Sequence, residues 1–276
     1  MKNYTYPAVL TIAGSDSGGG AGIQADLKTF SALGCYGMSA ITALTAQNTL
    51  GVTAIHSVPP AFVKAQLDAV LQDIRPLAIK IGMVHSPELV AVIAETLLQY
   101  PDIPMVLDPV MVATSGDRLI AQETVTHLVA QLFPLSTLIT PNLDEAALLA
   151  GMPIATVKDM QTAGNTIMQQ GCKALLLKGG HLQQEQLISL LFTADRNIEH
   201  FTSHKIETKN MHGSGCTLSS AIAAYLARGE TLAHAVALAQ DYVHGAILHG
   251  KDVTTGKGHG PLNHFYNPQK MILNLY

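Results

Sequence analysis

Short, uniformly apolar runs alternate with longer amphipathic segments along most of the chain. The apolar runs predict buried strands at residues 9–12, 38–46, 78–82, 105–107, 137–140 and 174–177. Apolar residues at helical spacing between them predict helices at 23–33, 63–74, 88–98, 145–150, 216–227 and 232–248. Strands that alternate with helices indicate an α/β fold with a mostly parallel sheet covered by helices on both faces.

Two further expectations come from the segment at residues 188–208 and from the length of the chain. Residues 188–193 and 199–208 suit an antiparallel hairpin at one edge of the sheet. A length of 276 residues fits one large α/β domain better than two small ones, so we expect residues 1–276 to form a single domain.

Almost every predicted strand ends in small or polar residues. These endings are Gly14-Ser15-Asp16, Gly82-Met83, Asp108-Pro109, Thr140-Pro141-Asn142 and Lys178-Gly179-Gly180. Open α/β sheets bind ligands outside the carboxyl ends of their strands. Ordinary turns favour the same residue types, but five such endings together favour a site.

Composition and charge narrow the class of partner. The chain has 16 basic and 20 acidic residues without a basic block, which argues against a nucleic-acid partner. The three cysteines, Cys35, Cys172 and Cys216, are too widely spaced for a disulfide framework or a zinc motif and fit a reducing compartment. With no leader-like or membrane-length apolar stretch, we expect a cytoplasmic protein that acts on small molecules.

The strongest chemical signal precedes the helix predicted at 216–227. Gly213, Ser214 and Gly215 can turn backbone N–H groups inward at the helix start, which predicts an anion hole for a phosphoryl group. Cys216 would lie at the positive end of the helix dipole, so we expect a lowered thiol pKa and a candidate base. The alternative is a buried helix-capping turn with an inert cysteine.

A glycine-rich segment, residues 18–22, follows the first strand. It matches the dinucleotide pattern G-x-G-x-x-A at residues 20–25, but residues 42–47 lack the required acid, and no Walker A lysine is present. We interpret the segment as a flexible flap over a small ligand, with Asp16 and Asp26 at its edges. For Asp26 the alternative is a solvated position in the first turns of a helix.

Three further polar residues follow predicted strands. Asn142 and Glu145 flank one helical turn, where their oxygens suit magnesium around a polyphosphate, and the same pair also fits a capping box. Lys178 stands beside two glycines and can reach a phosphate as a point charge, or it is a snorkelling surface lysine.

Ordered motifs extend over nearly the whole chain. They are LTIAGSD at 10–16 with 18–28, AQNT at 46–49, KIGM at 80–83, DPVM at 108–111, PNLDE at 141–145, HGSGCT at 212–217, and GHGP at 258–261 with His264 and Phe265. Together they resemble the hydroxymethylpyrimidine/phosphomethylpyrimidine kinases of thiamin biosynthesis, members of the ribokinase-like superfamily.

The resemblance implies a ribokinase-like three-layer α/β/α fold that uses ATP and Mg²⁺, with a homodimer as the expected assembly. It also implies transfer of the ATP γ-phosphoryl group to 4-amino-5-hydroxymethyl-2-methylpyrimidine and then to its monophosphate. The implied substrate-binding residues are Ala13, Gly14, Asp26, Gln47 and Met83. Those implied for Mg-ATP are Lys178, Asn142 and Thr208, with Glu145 and Asp108 for the metal. Gly213, Ser214 and Gly215 would form the anion hole, and Cys216 would be the base.

Some positions depart from the family pattern. Met211 and Ser214 stand where threonine is usual, and Thr114 stands where a lysine is expected, which puts a phosphate contact from that loop in doubt. A pyridoxal or pyridoxine kinase is the nearest alternative, because its substrate is also an aromatic ring with a hydroxymethyl group. A catalytically silent pyrimidine-binding protein and a dinucleotide-dependent oxidoreductase are the alternatives from other classes.

Overall fold

A nine-stranded sheet forms the centre of the molecule. The computed structural model describes residues 4–111, 120–180 and 186–275. The strands are β1 (Tyr4–Thr5), β2 (Ala8–Asp16), β3 (Tyr36–Asn48), β4 (Gly51–Ser57), β5 (Ala78–Ile81), β6 (Met105–Leu107), β7 (Leu138–Ile139), β8 (Ala174–Lys178), β9 (Gln186–Thr193), β10 (Ile198–His204) and β11 (Asn274–Leu275). The helices are α1 (Gly22–Ala32), α2 (Pro60–Leu71), α3 (Pro87–Leu97), α4 (Gln122–Gln131), α5 (Leu143–Ala150), α6 (Val157–Met168), α7 (Ser214–Ala227) and α8 (Leu232–Gly250).

The sheet has the order β10-β9-β8-β7-β6-β5-β2-β3-β4. Its six central strands pair in parallel, whereas β4 at one edge and the β9–β10 hairpin at the other are antiparallel. The strands predicted from apolar runs are confirmed. Five of them are buried on both faces of the sheet, whereas β3 is only partly buried. The predicted edge hairpin is also confirmed, although β10 ends at His204 rather than at residue 208.

Two apolar layers cover the sheet. Leu10 and Ile12 of β2 point into the core shared with α2–α6, whereas Val9 points to the opposite face and packs with Phe30 of α1 and Ile222 of α7. This alternation follows from the two-residue period of a strand, which turns neighbouring side chains to opposite faces. The expected three-layer α/β/α arrangement is confirmed.

The strand order reverses beside β2, because the chain adds β3 on one side of it and β5 on the other. A reversal of this kind opens a crevice at the carboxyl ends of the two central strands. In the described part of the chain, no helix is long and apolar enough to cross a membrane.

Candidate active site

A cavity of about 850 Å³ opens where the central strands end. All five predicted strand endings contribute to its wall, through Gly14, Met83, Asp108, Asn142 and Lys178. The expected convergence is therefore confirmed. The volume lies within the usual range for small-molecule and cofactor pockets, about 300–1,000 Å³.

The HGSGCT segment forms the start of α7, as the sequence predicts. Gly213 is the N-cap and adopts a φ of 84°, a left-handed conformation that favours glycine. A Cβ atom at Gly213 would collide with the carbonyl oxygen of Gly20, so the glycine flap and the helix start touch closely. Gly213, Ser214, Gly215 and Cys216 all line the cavity, where the first N–H groups of a helix lack intrahelical partners.

The thiol of Cys216 departs from its expected ionisation. It lies in the first turn of α7 and is partly exposed to the cavity, but burial raises its pKa to about 11. The Lys80 ammonium group and the backbone N–H of Gly22 oppose this rise. The prediction of a lowered pKa is wrong, because removal from water outweighs these two contributions.

Lys178 and Asp108 form an ion pair at the cavity wall. Lys178 Nζ donates to Asp108 Oδ1 at 3.1 Å, and the hydroxyls of Thr140 and Ser219 donate to the same carboxylate. Burial opposes ionisation of Asp108, yet the nearby lysines hold its pKa below the ordinary value. A Cβ atom at Gly215 would lie 3.4 Å from Lys178 Nζ, which places this pair beside the predicted anion hole.

Asn142 and Glu145 form the capping box that their spacing suggested, and their role at magnesium stays a prediction. Asn142 Oδ1 accepts from the Glu145 N–H, and Glu145 Oε2 accepts from the Asn142 N–H, each at 2.9 Å, so the capping box is present. Both residues also line the cavity. Burial raises the pKa of Glu145 to about 7.

Four of the five residues predicted to bind the substrate line the cavity, and Asp26 does not. Ala13, Gly14, Gln47 and Met83 line the cavity, and a Cβ atom at Gly14 would lie 2.8 Å from Met83 Cε. Glycine at position 14 therefore leaves the space that the methionine side chain fills.

Asp26 is a correction to the sequence analysis. It does not line the cavity, and it is not a solvated helix residue either, because it is fully buried. Its carboxylate binds the ammonium group of Lys80 at 2.9 and 3.0 Å. Lys80 belongs to the cavity wall, although sequence reasoning gave it no role. A lysine inside a buried strand was the available signal, since such a charge requires a partner.

A second unpredicted contact joins the flap to the anion hole. His212 Nε2 lies 2.9 Å from Asp16 Oδ2. The same aspartate accepts from the backbone N–H groups of Gly18, Gly20 and Ala21, so it fixes the turn of the glycine segment. Burial opposes ionisation, but these hydrogen bonds hold the pKa of Asp16 below its ordinary value.

The closing motif packs against the other motifs. The N–H groups of Gly258 and His259 donate to Thr49 of the AQNT segment. His264 Nε2 lies 3.0 Å from Thr217 Oγ1 in the first turn of α7. These contacts connect the closing motif with the AQNT segment and with the start of α7.

The structure also places Thr208, whose role in ATP binding stays a prediction. Thr208 lines the cavity, and its hydroxyl donates to the Lys251 carbonyl. Thr114 lies outside the described residues, and so does His181, which follows the glycine pair. The opposite wall includes Gln240, Val243, His244 and Ile247 of α8, for which the sequence offered only a helical pattern.

The fold and the cavity define a ribokinase-like small-molecule kinase. The chain belongs to the phosphomethylpyrimidine kinase family, whose model matches residues 16–263. It is 51% identical over 258 residues to the hydroxymethylpyrimidine/phosphomethylpyrimidine kinase of Rhizobium meliloti, covering 93% of this chain and 96% of that protein.

Solved structures agree with this assignment. The crystal structure of phosphomethylpyrimidine kinase from Clostridium difficile shares 47% sequence identity and has a TM-score of 0.78, covering 87% of this chain and 99% of that one. The pyridoxal kinase from Staphylococcus aureus in complex with AMP-PCP and pyridoxal shares 32% identity with a TM-score of 0.86, covering 99% of both chains.

Proposed function

We propose that this chain transfers the γ-phosphoryl group of ATP to 4-amino-5-hydroxymethyl-2-methylpyrimidine and then phosphorylates the monophosphate to the pyrophosphate. The observation that carries this proposal is a single cavity with a glycine-lined helix start between two chemically different regions. Gly213 contacts the glycine flap, and Gly215 lies beside Lys178 and Asp108. A phosphoryl group at the helix start would therefore contact both regions.

The region around Gly14, Gln47 and Met83 suits the pyrimidine. The thioether of Met83 offers an adaptable apolar surface to an aromatic ring. The Gln47 side chain can both donate and accept hydrogen bonds, as ring nitrogens and an exocyclic amine require. Its amide is already fixed, because the Thr45 hydroxyl donates to Gln47 Oε1 at 3.0 Å.

Lys178, Asn142 and Thr208 are proposed to contact ATP from the other region. The Lys178 ammonium group can exchange part of its contact with Asp108 for a phosphate oxygen, because 15% of its side chain is exposed. A charge at this point would stabilise the transferred group during the loose transition state of phosphoryl transfer.

Magnesium fits the donor set on this side. Asp108 and Glu145 contribute carboxylates to the cavity wall, and no group of three or more potential ligands occurs among the described residues. Mg²⁺ commonly binds one or two carboxylates and completes its shell with water and substrate phosphates. When bound, it would neutralise charge on the polyphosphate.

Cys216 is proposed as the base. As the thiolate, its sulfur would accept the proton of the substrate hydroxymethyl group, while the oxygen of that group attacks the γ-phosphorus and ADP leaves. The N–H groups at the start of α7 would hold the oxygens of the group in transfer. A thiol with a pKa of about 11 needs favourable charges nearby to act in this way.

A product assay tests the proposed function. The protein is incubated with Mg-ATP and either hydroxymethylpyrimidine or pyridoxal, and mono- and diphosphorylated products are resolved. Pyrimidine monophosphate followed by the pyrophosphate is the expected result. Pyridoxal phosphate alone would favour the pyridoxal kinase alternative, which the high TM-score to the staphylococcal enzyme supports. No product with either substrate would favour a silent binding protein.

We further propose a cytoplasmic homodimer. β4 is the edge strand of the sheet, and its Val52 and Ile55 side chains are exposed. Sedimentation of the purified chain would give twice the monomer mass, and a monomer at working concentration would contradict the proposal.

A further inference from the structure

A sealed ion pair lies beneath the first turns of α7. Lys80 of β5 and Asp26 of α1 have side chains that are 0% exposed, and Lys80 Nζ donates to both carboxylate oxygens. Charged groups are rarely buried completely, because the cost of removing them from water is large unless other bonds compensate. The surroundings of this pair supply those bonds.

Two hydroxyl groups complete the coordination of Asp26. Thr11 Oγ1 of β2 donates to Oδ2, and Ser220 Oγ of α7 donates to Oδ1, each at 2.6 Å. The pair therefore connects two neighbouring strands with two helices. Ser220 follows Cys216 by four positions, so both residues lie on the same face of α7.

The Lys80 ammonium group also lies against the substrate side of the cavity. A Cβ atom at Gly82 would lie 2.8 Å from Lys80 Nζ and 2.9 Å from the Cβ atom of Ala13. Asp26 occupies two of the three N–H groups of Lys80. The positive charge is thus held in place and shielded from water, and it lies beside Gly82, close to Ala13 of the cavity wall.

Four charged side chains act on Cys216. Burial raises its pKa to about 11, and Lys80 is the strongest charge that opposes this rise, whereas Asp26 and Asp108 each add to it. Lys178 interacts with the thiolate as well. In surroundings of low polarity, a fixed charge has a larger effect than the same charge in water.

We propose that Lys80 is a positioning residue that stabilises the thiolate form of Cys216, and that Asp26 holds the ammonium group in place for this purpose. This inference rests on the proposed role of Cys216 as the base. Lys80 keeps its own proton throughout. The proton from the substrate goes to Cys216, and the new negative charge on the hydroxymethyl oxygen disappears as the bond to phosphorus forms.

The test is the pH dependence of Cys216 alkylation by iodoacetamide, which reacts with the thiolate. Mass spectrometry of the peptide that contains Cys216 separates it from the buried Cys35 and Cys172. Lys80→Met removes the charge at similar side-chain length and should raise the apparent pKa of Cys216 by about one unit or more. The variant Lys80→Met/Asp26→Asn leaves no unpaired carboxylate, and it should show a rise in the same direction.

Ser220→Ala is the matched control, because it disturbs the same network and leaves the ammonium group in place. Its Cys216 pKa should stay at the wild-type value. Unchanged alkylation profiles in both Lys80 variants, or an equal rise in Ser220→Ala, would overturn the proposal and leave the pair a purely structural role.

Turnover separates this inference from the proposed function. If the Lys80 variants raise the pKa of Cys216 but retain full turnover across the pH range, the coupling of Lys80 to Cys216 stands and the base role fails. If turnover falls and the limb on which it rises with pH moves to higher pH by the same amount as the alkylation profile, both are supported.

Discussion

Two lysine–aspartate pairs lie at the carboxyl ends of parallel strands, and they differ in access to water. The Lys80–Asp26 pair is sealed, with both side chains 0% exposed, whereas Lys178 of the Lys178–Asp108 pair is 15% exposed. Their N–O distances are similar, at 2.9 and 3.1 Å. The same chemical groups are therefore used in two environments, only one of which a ligand can enter.

The difference separates a fixed charge from an exchangeable one. Hydroxyl groups of Thr11 and Ser220 complete the coordination of Asp26, and both side chains of the sealed pair are 0% exposed, so its charges stay in place. The open pair borders the cavity, where a phosphate oxygen can compete with Asp108 for the ammonium group of Lys178. We infer that the sealed pair shapes the electric field of the site and that the open pair binds the ligand.

Stability should separate the sealed pair from an exposed ion pair most strongly. Lys80→Met leaves Asp26 as an uncompensated buried charge and should reduce the free energy of unfolding by about 3–5 kcal/mol. Urea denaturation of the purified variants measures this. Arg75→Met is the control, because the Arg75–Asp102 pair is more than half exposed and should contribute less than about 1 kcal/mol. Equal losses in the two variants would contradict the distinction.

Both pairs act on Cys216, since each lysine interacts electrostatically with its thiolate. Cys216→Ala should lower turnover by at least about 10²-fold, with little change in substrate affinity, because a general base contributes about 10²–10⁴. Steady-state kinetics at saturating Mg-ATP measures the effect. Cys172→Ala, at a buried cysteine outside the cavity, should keep wild-type turnover. Full activity in Cys216→Ala would exclude the base role.

Much of the fold follows from local patterns in the sequence. Strands such as β2 and β5 are buried on both faces and therefore appear as continuous apolar runs. β4 was not predicted, because its residues are almost all exposed and carry no such run. α6 also escaped prediction, since its buried face includes the small residues Ala163 and Gly164.

The candidate site also has one part that the sequence predicts and another part that it does not. Gly213 and Cys216 are neighbours in the chain, and their placement at a helix start could be predicted from the sequence. Lys80 and Asp26 are 54 positions apart, and Asp16 and His212 are 196 positions apart. Nothing in one sequence identifies such partners, because the folded sheet brings them together. The predicted ionisation of Cys216 was wrong for a related reason, since its burial depends on the whole fold.

A buried histidine extends the comparison to a group without a charged partner. Burial lowers the pKa of His264 to about 4, so the folded protein keeps it neutral at pH values where the unfolded chain binds a proton. Stability from this residue is complete above about pH 6.5 and is lost as the pH falls towards 4, which amounts to about 2 kcal/mol between pH 6.5 and 5.

Urea denaturation at these two pH values measures the loss. His264→Gln should remove most of this pH dependence, whereas His56→Gln, on the exposed strand β4, should retain it. Identical pH dependence in the two variants would show that His264 already binds a proton near pH 6 in the folded protein.

The smallest effect is expected for the open pair and should appear in nucleotide binding. Lys178→Met removes the charge-assisted hydrogen bond that we propose between Lys178 and ATP, which is worth about 1.5 kcal/mol, so kcat/KM for ATP should fall about tenfold. KM for the pyrimidine should change little, because Gln47 and Met83 belong to the other region of the cavity. The apparent pKa of Cys216 should rise less than in Lys80→Met, since Lys80 is its leading favourable charge. If Lys178→Met instead moved that pKa as far as Lys80→Met while leaving ATP kinetics intact, the roles of the two lysines would be exchanged.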